Sequence, residues 1–162
     1  MAYNRLLQSV QIALENKTQK GALMAMDEVV DFCLAHENGK VFDGWDKELI
    51  RLMVGYHWAK KTLIVHYNED QEVKGVFMWY NCNEDDGWEF INGWEADRED
   101  GDSIFLAFIF AEGKDTLKEI TKDFLSRCPE ALEKNKISLR YRSGFPKRVN
   151  YDNRLFKKIL NN

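Results

Sequence analysis

A short turn between an apolar run and an amphipathic stretch carries the residues best suited to hold an anion. It reads Ala111-Glu112-Gly113-Lys114-Asp115 and follows the apolar run from Ile104 to Phe110. A strand that ends in a glycine turn and feeds a helix aims free backbone N–H groups at one point, which favours a bound phosphate or carboxylate. The same pattern is also typical of a solvated turn that serves no ligand. The turn therefore predicts an anion site and leaves the second interpretation open.

Acidic and aromatic residues are interleaved in a second stretch, residues 84 to 102. It holds nine carboxylates against a single cation, Arg98. Such a surface is able to dock a basic protein partner or to imitate the charge of nucleic acid. The alternative is a hairpin with one buried aromatic face and one solvated acidic face. The residues predicted to bind a partner are Trp88, Trp94, Glu95, Asp97, Glu99 and Asp100.

A basic stretch, residues 134 to 158, balances the acidic one. Nine Lys and Arg residues lie there with Asp152 as the single acid, and Tyr141, Phe145 and Tyr151 are interspersed. Mixtures of this kind contact phosphates and stack on bases. Because the whole chain carries a net charge of −4, nucleic acid is not the expected partner. The molecule is expected to be electrically two-faced unless folding brings the two stretches together.

The spacing of cysteine and histidine gives no support to metal or disulfide chemistry. Cys33, Cys82 and Cys128 form no C-x-x-C pair, and the three histidines show no H-x-x-x-H spacing. We therefore expect free, buried thiols and no metal site. No apolar run has the length of a membrane span, and the first residues lack the pattern of a signal peptide. A cytoplasmic protein that does not contact membranes is expected.

Hydrophobic periodicity predicts the elements that position these residues. The 162 residues, 44% of them apolar, correspond to a single domain over 1–162. The central element is a strand over 103–111, predicted to be buried on both faces because its apolar residues are continuous. Apolar residues three and four apart predict a helix over 115–127, capped by Asp115 or Thr116.

The other predicted elements surround this central unit. Further helices are predicted over 3–14, 20–36, 46–57 and 151–160, and further strands over 62–67, 73–82, 88–91 and 136–142. A right-handed crossover through the helix 115–127 places the strand 136–142 parallel to the central strand. A turn is predicted at residues 144–146, and Asn150 is the predicted cap of the terminal helix. The predicted fold class is α/β (α+β), with N-terminal helices and a mixed, mostly antiparallel sheet.

This order of elements resembles the GCN5-related N-acetyltransferase (GNAT) superfamily over residues 20 to 160, in topology and not in sequence identity. The terminal pattern NRLFKKIL, residues 153–160, is similar to a helix of that family. The resemblance implies that the turn after the central strand cradles the pyrophosphate of acetyl-CoA or another acyl-CoA. The cofactor-binding residues it implies are Ala111, Gly113, Lys114, Asp115 and Asn150.

The chain departs from the family in two places. The family's turn carries an R/Q-x-x-G-x-G/A signature, whereas this turn has Gly113 alone and no Arg or Gln before it. The sequence also stops at Asn162, before the family's usual last two strands. In this respect it is similar to trimmed GNAT-like proteins of phages, some of them virion components, and a phage source is a further expectation.

The resemblance also implies catalytic roles. Glu112 is the expected general base toward an amine, and Tyr151, or alternatively Tyr141, is the expected acid toward the leaving thiolate. His57 and His66 are alternative bases, although their aromatic neighbours favour a structural role. The site is expected where the central strand splays from its parallel neighbour. The competing hypothesis is a non-catalytic GNAT-like scaffold that binds a protein partner through the acidic aromatic stretch.

Overall fold

The computed structural model of the chain describes residues 19–84, 97–142 and 145–161. In chain order the elements are α1 (Gln19–Ala35), a 3-10 turn (Glu37–Phe42), α2 (Lys47–Ala59), β1 (Leu63–Tyr67), β2 (Val73–Cys82), β3 (Ser103–Ala111), α3 (Gly113–Arg127), a second 3-10 turn (Pro129–Leu132), β4 (Asn135–Arg142), β5 (Phe145–Tyr151) and α4 (Asn153–Asn161). The predicted helix 3–14 and strand 88–91 lie outside the described residues.

The strands form one sheet in the order β1-β2-β3-β4-β5. Neighbouring strands are antiparallel except β3 and β4, which are parallel and joined by a crossover through α3. The predicted class is therefore confirmed: helices precede a mixed, mostly antiparallel sheet whose central strand is 103–111, and a helix ends the chain.

The parallel pair between β3 and β4 is short. Ser103, Ile104 and Phe105 pair with residues 135 to 137, and the described part of β4 pairs with no later residue of β3. On its other side β3 stays paired with β2 as far as Ala111, with a bulge that leaves Ala107 as an extra residue. The second half of β3 thus keeps one strand neighbour and separates from the other.

Helices cover both faces of the sheet, which divides the core in two. The α1–α2 side is built from apolar residues of β2, β3 and these helices: Met26, Val30, Ile50, Met53, Val76, Met78 and Phe110. The other side packs α3 and α4 on the sheet through Phe77, Trp79, Leu106, Ile120, Phe124 and Phe156. A smaller apolar cluster, Tyr80, Cys82, Phe105 and Ile137, lies where β3 and β4 are paired.

Gly75 allows α3 to approach the sheet closely. A Cβ atom at this position of β2 would lie 3.0 Å from Thr116 Cγ2 and 3.2 Å from Ile120 Cδ1 of α3. Both distances are shorter than ordinary van der Waals contact. The absence of a side chain at Gly75 therefore sets the spacing between the sheet and the helix that follows β3.

The start of α3 differs from the predicted cap at Asp115 or Thr116. The helix begins at Gly113, and the side chain of the N-cap residue, Glu112, makes no capping hydrogen bond. Gly113 has a φ of 79°, a conformation that glycine adopts without steric cost. The chain can therefore pass from β3 into the helix with its N-cap at Glu112, three residues before Asp115.

The end of the chain also differs from its prediction. Residues 145 to 151, expected as a turn and a helix start, form the strand β5, which pairs with β4 along its whole length. Pro146 is compatible with this because β5 is an edge strand. Asp152 accepts a hydrogen bond from the Arg154 N–H at 2.8 Å and so takes the capping role predicted for Asn150.

Candidate functional site

The predicted anion-binding turn lies on the surface at the end of β3. Ala111 pairs with Gly75, and the Glu112 N–H donates to the Lys74 carbonyl at 2.9 Å. Gly113, Lys114 and Asp115 are exposed in the first turn of α3. A Cβ atom at Gly113 would meet nothing within 4 Å. The turn therefore has the open helix N-terminus that the sequence predicts.

His36 supports this end of β3, a role that the sequence pattern did not indicate. Its Nδ1 accepts from the Asn38 N–H at 3.1 Å, so the proton lies on Nε2, which donates to the Ala111 carbonyl at 3.1 Å. The ring contacts Phe32 and Phe110. No local motif marks this histidine, because its partner is 75 residues away in the sequence.

The structure does not bring the predicted base and acid together. Tyr151 pairs with Lys136, which in turn pairs with Ile104. Tyr151 is therefore level with Ile104, seven residues before Ala111, or about 23 Å along the strand. A general base and a general acid must both reach the reacting atoms. Glu112 and Tyr151 are too far apart to act on one atom in this conformation.

Tyr151 and Asn150 are instead level with the paired half of β3, with β4 between them and β3. The Tyr151 ring is partly buried and packs perpendicular to Phe156, with 6.2 Å between ring centroids. Asn150 is exposed and pairs with Ile137, so it too is remote from the turn at Ala111. The alternative acid, Tyr141, is in the half of β4 that runs in the same direction as the end of β3.

Ser138 marks the point at which β3 and β4 part. It follows Ile137, the last β4 residue paired with β3, and its Oγ donates to the Leu106 carbonyl at 3.1 Å. Beyond this bond lie the extra residue Ala107 and the half of β3 that is separated from β4. No motif in the sequence marks Ser138. Its contact depends on the strand register, which the pattern does not give.

The surroundings of this point are apolar on the side that faces α1 and α2. Ala107 and Leu139 are half-buried and pack against the buried cluster that contains Phe105 and Ile137. Lys136 does not face this cluster, because its Nζ donates to the Ala131 and Lys134 carbonyls and to Asn153 Oδ1. The cluster itself contains no charged side chain.

The two alternative bases have structural partners. His57 is buried, its Nδ1 lies 2.9 Å from Thr62 Oγ1, and burial lowers its pKa to about 3. The imidazole is therefore neutral at physiological pH. His66 Nε2 lies 3.0 Å from Asp123 Oδ2, and the other oxygen of this carboxylate accepts from Arg127 Nε at 3.2 Å.

Asp97 is a predicted partner-binding residue whose side chain the structure places in an internal contact. Its side chain is 7% exposed, accepts a hydrogen bond from the Tyr56 hydroxyl and pairs with Lys60 Nζ at 3.3 Å. Burial and the adjacent carboxylate raise the pKa of Tyr56. Asp97 thus ties its segment to α2 and is not available to a partner. Glu99 and Asp100 are exposed in a turn, and the other predicted positions, Trp88, Trp94 and Glu95, lie outside the described residues.

Folding brings the acidic and basic stretches together. Arg148 pairs with the Glu84 carboxylate at 3.5 Å and donates to its carbonyl at 3.1 Å. Lys134 Nζ donates to the Gly101 carbonyl at 2.9 Å. The Lys134 contact follows from the parallel pairing, which puts the start of β3 beside the start of β4, whereas Arg148 lies in β5 opposite Leu139. The predicted two-faced charge distribution is therefore partly neutralised where the stretches meet.

The thiols and the described acidic side chains offer no metal centre. Cys33, Cys82 and Cys128 are free and buried, as predicted, and burial raises the pKa values of Cys33 and Cys128 to about 12. Thiols of this kind are unreactive. Across the described ranges, no three side chains of the metal-binding types lie together. No helix in these ranges is long and apolar enough to cross a membrane.

No protein-family model matches the chain, and a search of curated proteins finds no significant match. The GNAT resemblance therefore stays a prediction from the order of elements in the sequence.

Proposed function

We propose that this chain binds an acyl-CoA in the gap between β3 and β4, as a divergent GNAT-like acyltransferase or a CoA-binding relative of one. The observation that supports the proposal is the short parallel pairing, which ends at Phe105 and Ile137. Backbone N–H and C=O groups inside a sheet need hydrogen-bond partners. From Ala107 to Phe110, β3 can offer such groups to an extended ligand in the manner of strand addition, whereas the Ala111 carbonyl already accepts from His36.

The chemistry of CoA fits the two ends of this gap. Its pantetheine arm is an extended chain with two amide groups, suited to pairing along β3. Its pyrophosphate would then lie at the open N-terminus of α3, where backbone N–H groups and the helix dipole favour an anion. The thioester would lie at the inner end, near Ser138 and Ala107. In this arrangement Glu112 and Asp115 are near the phosphates and Tyr151 is not, so Glu112 affects binding and not the chemical step.

The charges of the turn predict weak binding. Lys114 favours a diphosphate, whereas Glu112 and Asp115 oppose it, and all three are exposed. Exposed charge interactions contribute about 0.2–1 kcal/mol each, which corresponds to roughly a 1.4- to fivefold change in Kd. We therefore expect Lys114→Ala to weaken and Asp115→Asn to strengthen acetyl-CoA binding by this factor.

Thermal stability measured against acetyl-CoA concentration tests the proposal. A ligand that binds only the folded protein raises the melting temperature in a saturable way. Lys157→Ala serves as the matched control, because Lys157 is also exposed but lies in α4. No shift of the wild-type melting temperature at millimolar acetyl-CoA would refute the proposal. Equal shifts of the melting temperature for wild type, Lys114→Ala and Asp115→Asn would show that the ligand does not bind at this turn.

The scaffold hypothesis becomes the stronger one if acetyl-CoA does not bind. Of its predicted contacts, Glu99 and Asp100 are exposed in the structure, whereas Asp97 is buried. A partner that docks here would be basic. Capture of a basic partner by wild type and by Glu99→Gln/Asp100→Asn tests whether the partner docks on this surface. Equal capture by the two proteins would exclude this surface as the docking site.

A further inference from the structure

We propose that Ser138 is a positioning residue that closes the inner end of the gap between β3 and β4, and so limits the length of the acyl group bound there. The inference rests on the proposed acyl-CoA site. It concerns which acyl-CoA the site prefers and not whether one binds.

The Ser138 hydroxyl bridges the two strands where they part. Ser138 comes directly after the last parallel pair, and its Oγ donates to the Leu106 carbonyl at 3.1 Å. This bond joins the strands through a side chain at the point where the backbone ladder stops. Next to it, the bulge at Ala107 turns β3 away from the regular register. The Ser138 to Leu106 bond therefore defines how deep the gap extends.

The residues around that point do not by themselves select a chain length. Ala107 and Leu139 are half-buried beside the apolar cluster of Phe105 and Ile137. Such surroundings favour an apolar chain of any length, because apolar contact is non-directional. A limit on chain length must therefore come from closure of the gap. Ser138 supplies that closure, and without its hydroxyl the strands are free to part further.

The experiment compares the Kd values of acetyl-CoA and octanoyl-CoA by isothermal titration calorimetry. We expect wild type to bind acetyl-CoA at least about tenfold more tightly, a ratio typical of a closed pocket that discriminates by size. Ser138→Ala should reduce this ratio by about fivefold, the effect of losing one hydrogen bond. Ser138→Thr, which keeps the hydroxyl and suits a strand, should restore it.

Two further variants keep the test decisive. Ser138→Cys keeps the size of the side chain but is a weak donor, so it should behave like Ser138→Ala and replaces that variant if the alanine form does not fold. Ser126→Ala is the matched control, since Ser126 is exposed on α3.

The outcomes separate the two proposals. If wild type binds neither acyl-CoA, the proposed function is wrong. If wild type binds both acyl-CoAs, and every Ser138 variant shows the same ratio of the two Kd values as wild type, the proposed function stands and the role of Ser138 is overturned. The role of Ser138 is also overturned if wild type shows no preference for acetyl-CoA.

Discussion

His57 is a buried histidine whose charge state couples folding to pH. Its folded pKa is about 3, whereas an unfolded histidine titrates near 6.5. Below pH 6.5 the unfolded chain binds a proton that the folded protein does not, so stability falls as the pH drops from about 6.5 toward 3. Because His57 is protonated only in the unfolded state, we expect it to lower the free energy of unfolding by about 2 kcal/mol between pH 7 and pH 5.

Urea denaturation at several pH values tests this effect. In His57→Gln the loss between pH 7 and pH 5 should be smaller by about 2 kcal/mol. The pKa values of Asp102 and Asp152 are lowered by hydrogen bonds, and their contributions are lost as the pH falls below about 4, outside this window. An unchanged pH profile in His57→Gln would show that the buried imidazole is not responsible.

Asp97 is the acidic residue of its segment whose removal should matter most. Asp97→Ala leaves the Tyr56 hydroxyl and Lys60 without their carboxylate, and we expect a loss of about 2 kcal/mol of stability. Glu99→Ala is the matched control, because Glu99 is exposed two residues away; its effect should stay within about 0.5 kcal/mol. Chemical denaturation of both variants measures the difference, and equal effects would contradict the buried contact.

Sequence reasoning predicts the local structure around these residues better than it predicts their tertiary contacts. The turn at Gly113 could be predicted because its signal is local: a strand, a glycine and a helix in succession. The contacts of His36, Asp97 and Ser138 join residues 75, 41 and 32 positions apart. They depend on tertiary register, which neither composition nor periodicity contains.

At the scale of elements, β3 and α3 are predictable from local sequence, whereas β5 depends on its pairing with another strand. Strand β3 has a continuous apolar run and α3 has apolar residues at helical spacing, so both could be predicted from their own residues. β5 lacks a continuous apolar run, contains Pro146 and begins after Gly144, a pattern typical of a turn. It is a strand because β4 supplies its hydrogen-bond partners.

The contact of α3 with β2 should be sensitive to one added methyl group. In Gly75→Ala the new Cβ would lie 3.0 Å from Thr116 Cγ2, and we expect a loss of about 1–3 kcal/mol, as for overpacked cores. Thr116→Ser removes the opposing methyl group, so the double variant should recover part of the loss. Thermal or urea denaturation of the four proteins of this cycle gives the coupling. If the effects of Gly75→Ala and Thr116→Ser on stability are simply additive, the added Cβ atom and the Thr116 methyl group are not in contact.

At the scale of the whole molecule, the contacts between the acidic and basic stretches include a partly exposed ion pair. The pair of Glu84 and Arg148 is partly exposed, with side chains 53% and 32% accessible. Pairs of this kind contribute about 0.2–1 kcal/mol. A double-mutant cycle with Glu84→Ala and Arg148→Ala should therefore give a coupling energy in this range that decreases with added salt. Zero coupling at low salt would show that the contact does not hold the stretches together.

The three-residue pairing of β3 with β4 has a consequence for hydrogen exchange. β4 and β5 pair along seven residue positions with each other but along only three with the rest of the sheet. Regions with few shared hydrogen bonds open as separate cooperative units. The amides of the β4–β5 hairpin should therefore exchange with deuterium together and faster than those of β2 and β3, so that one sheet contains two levels of protection.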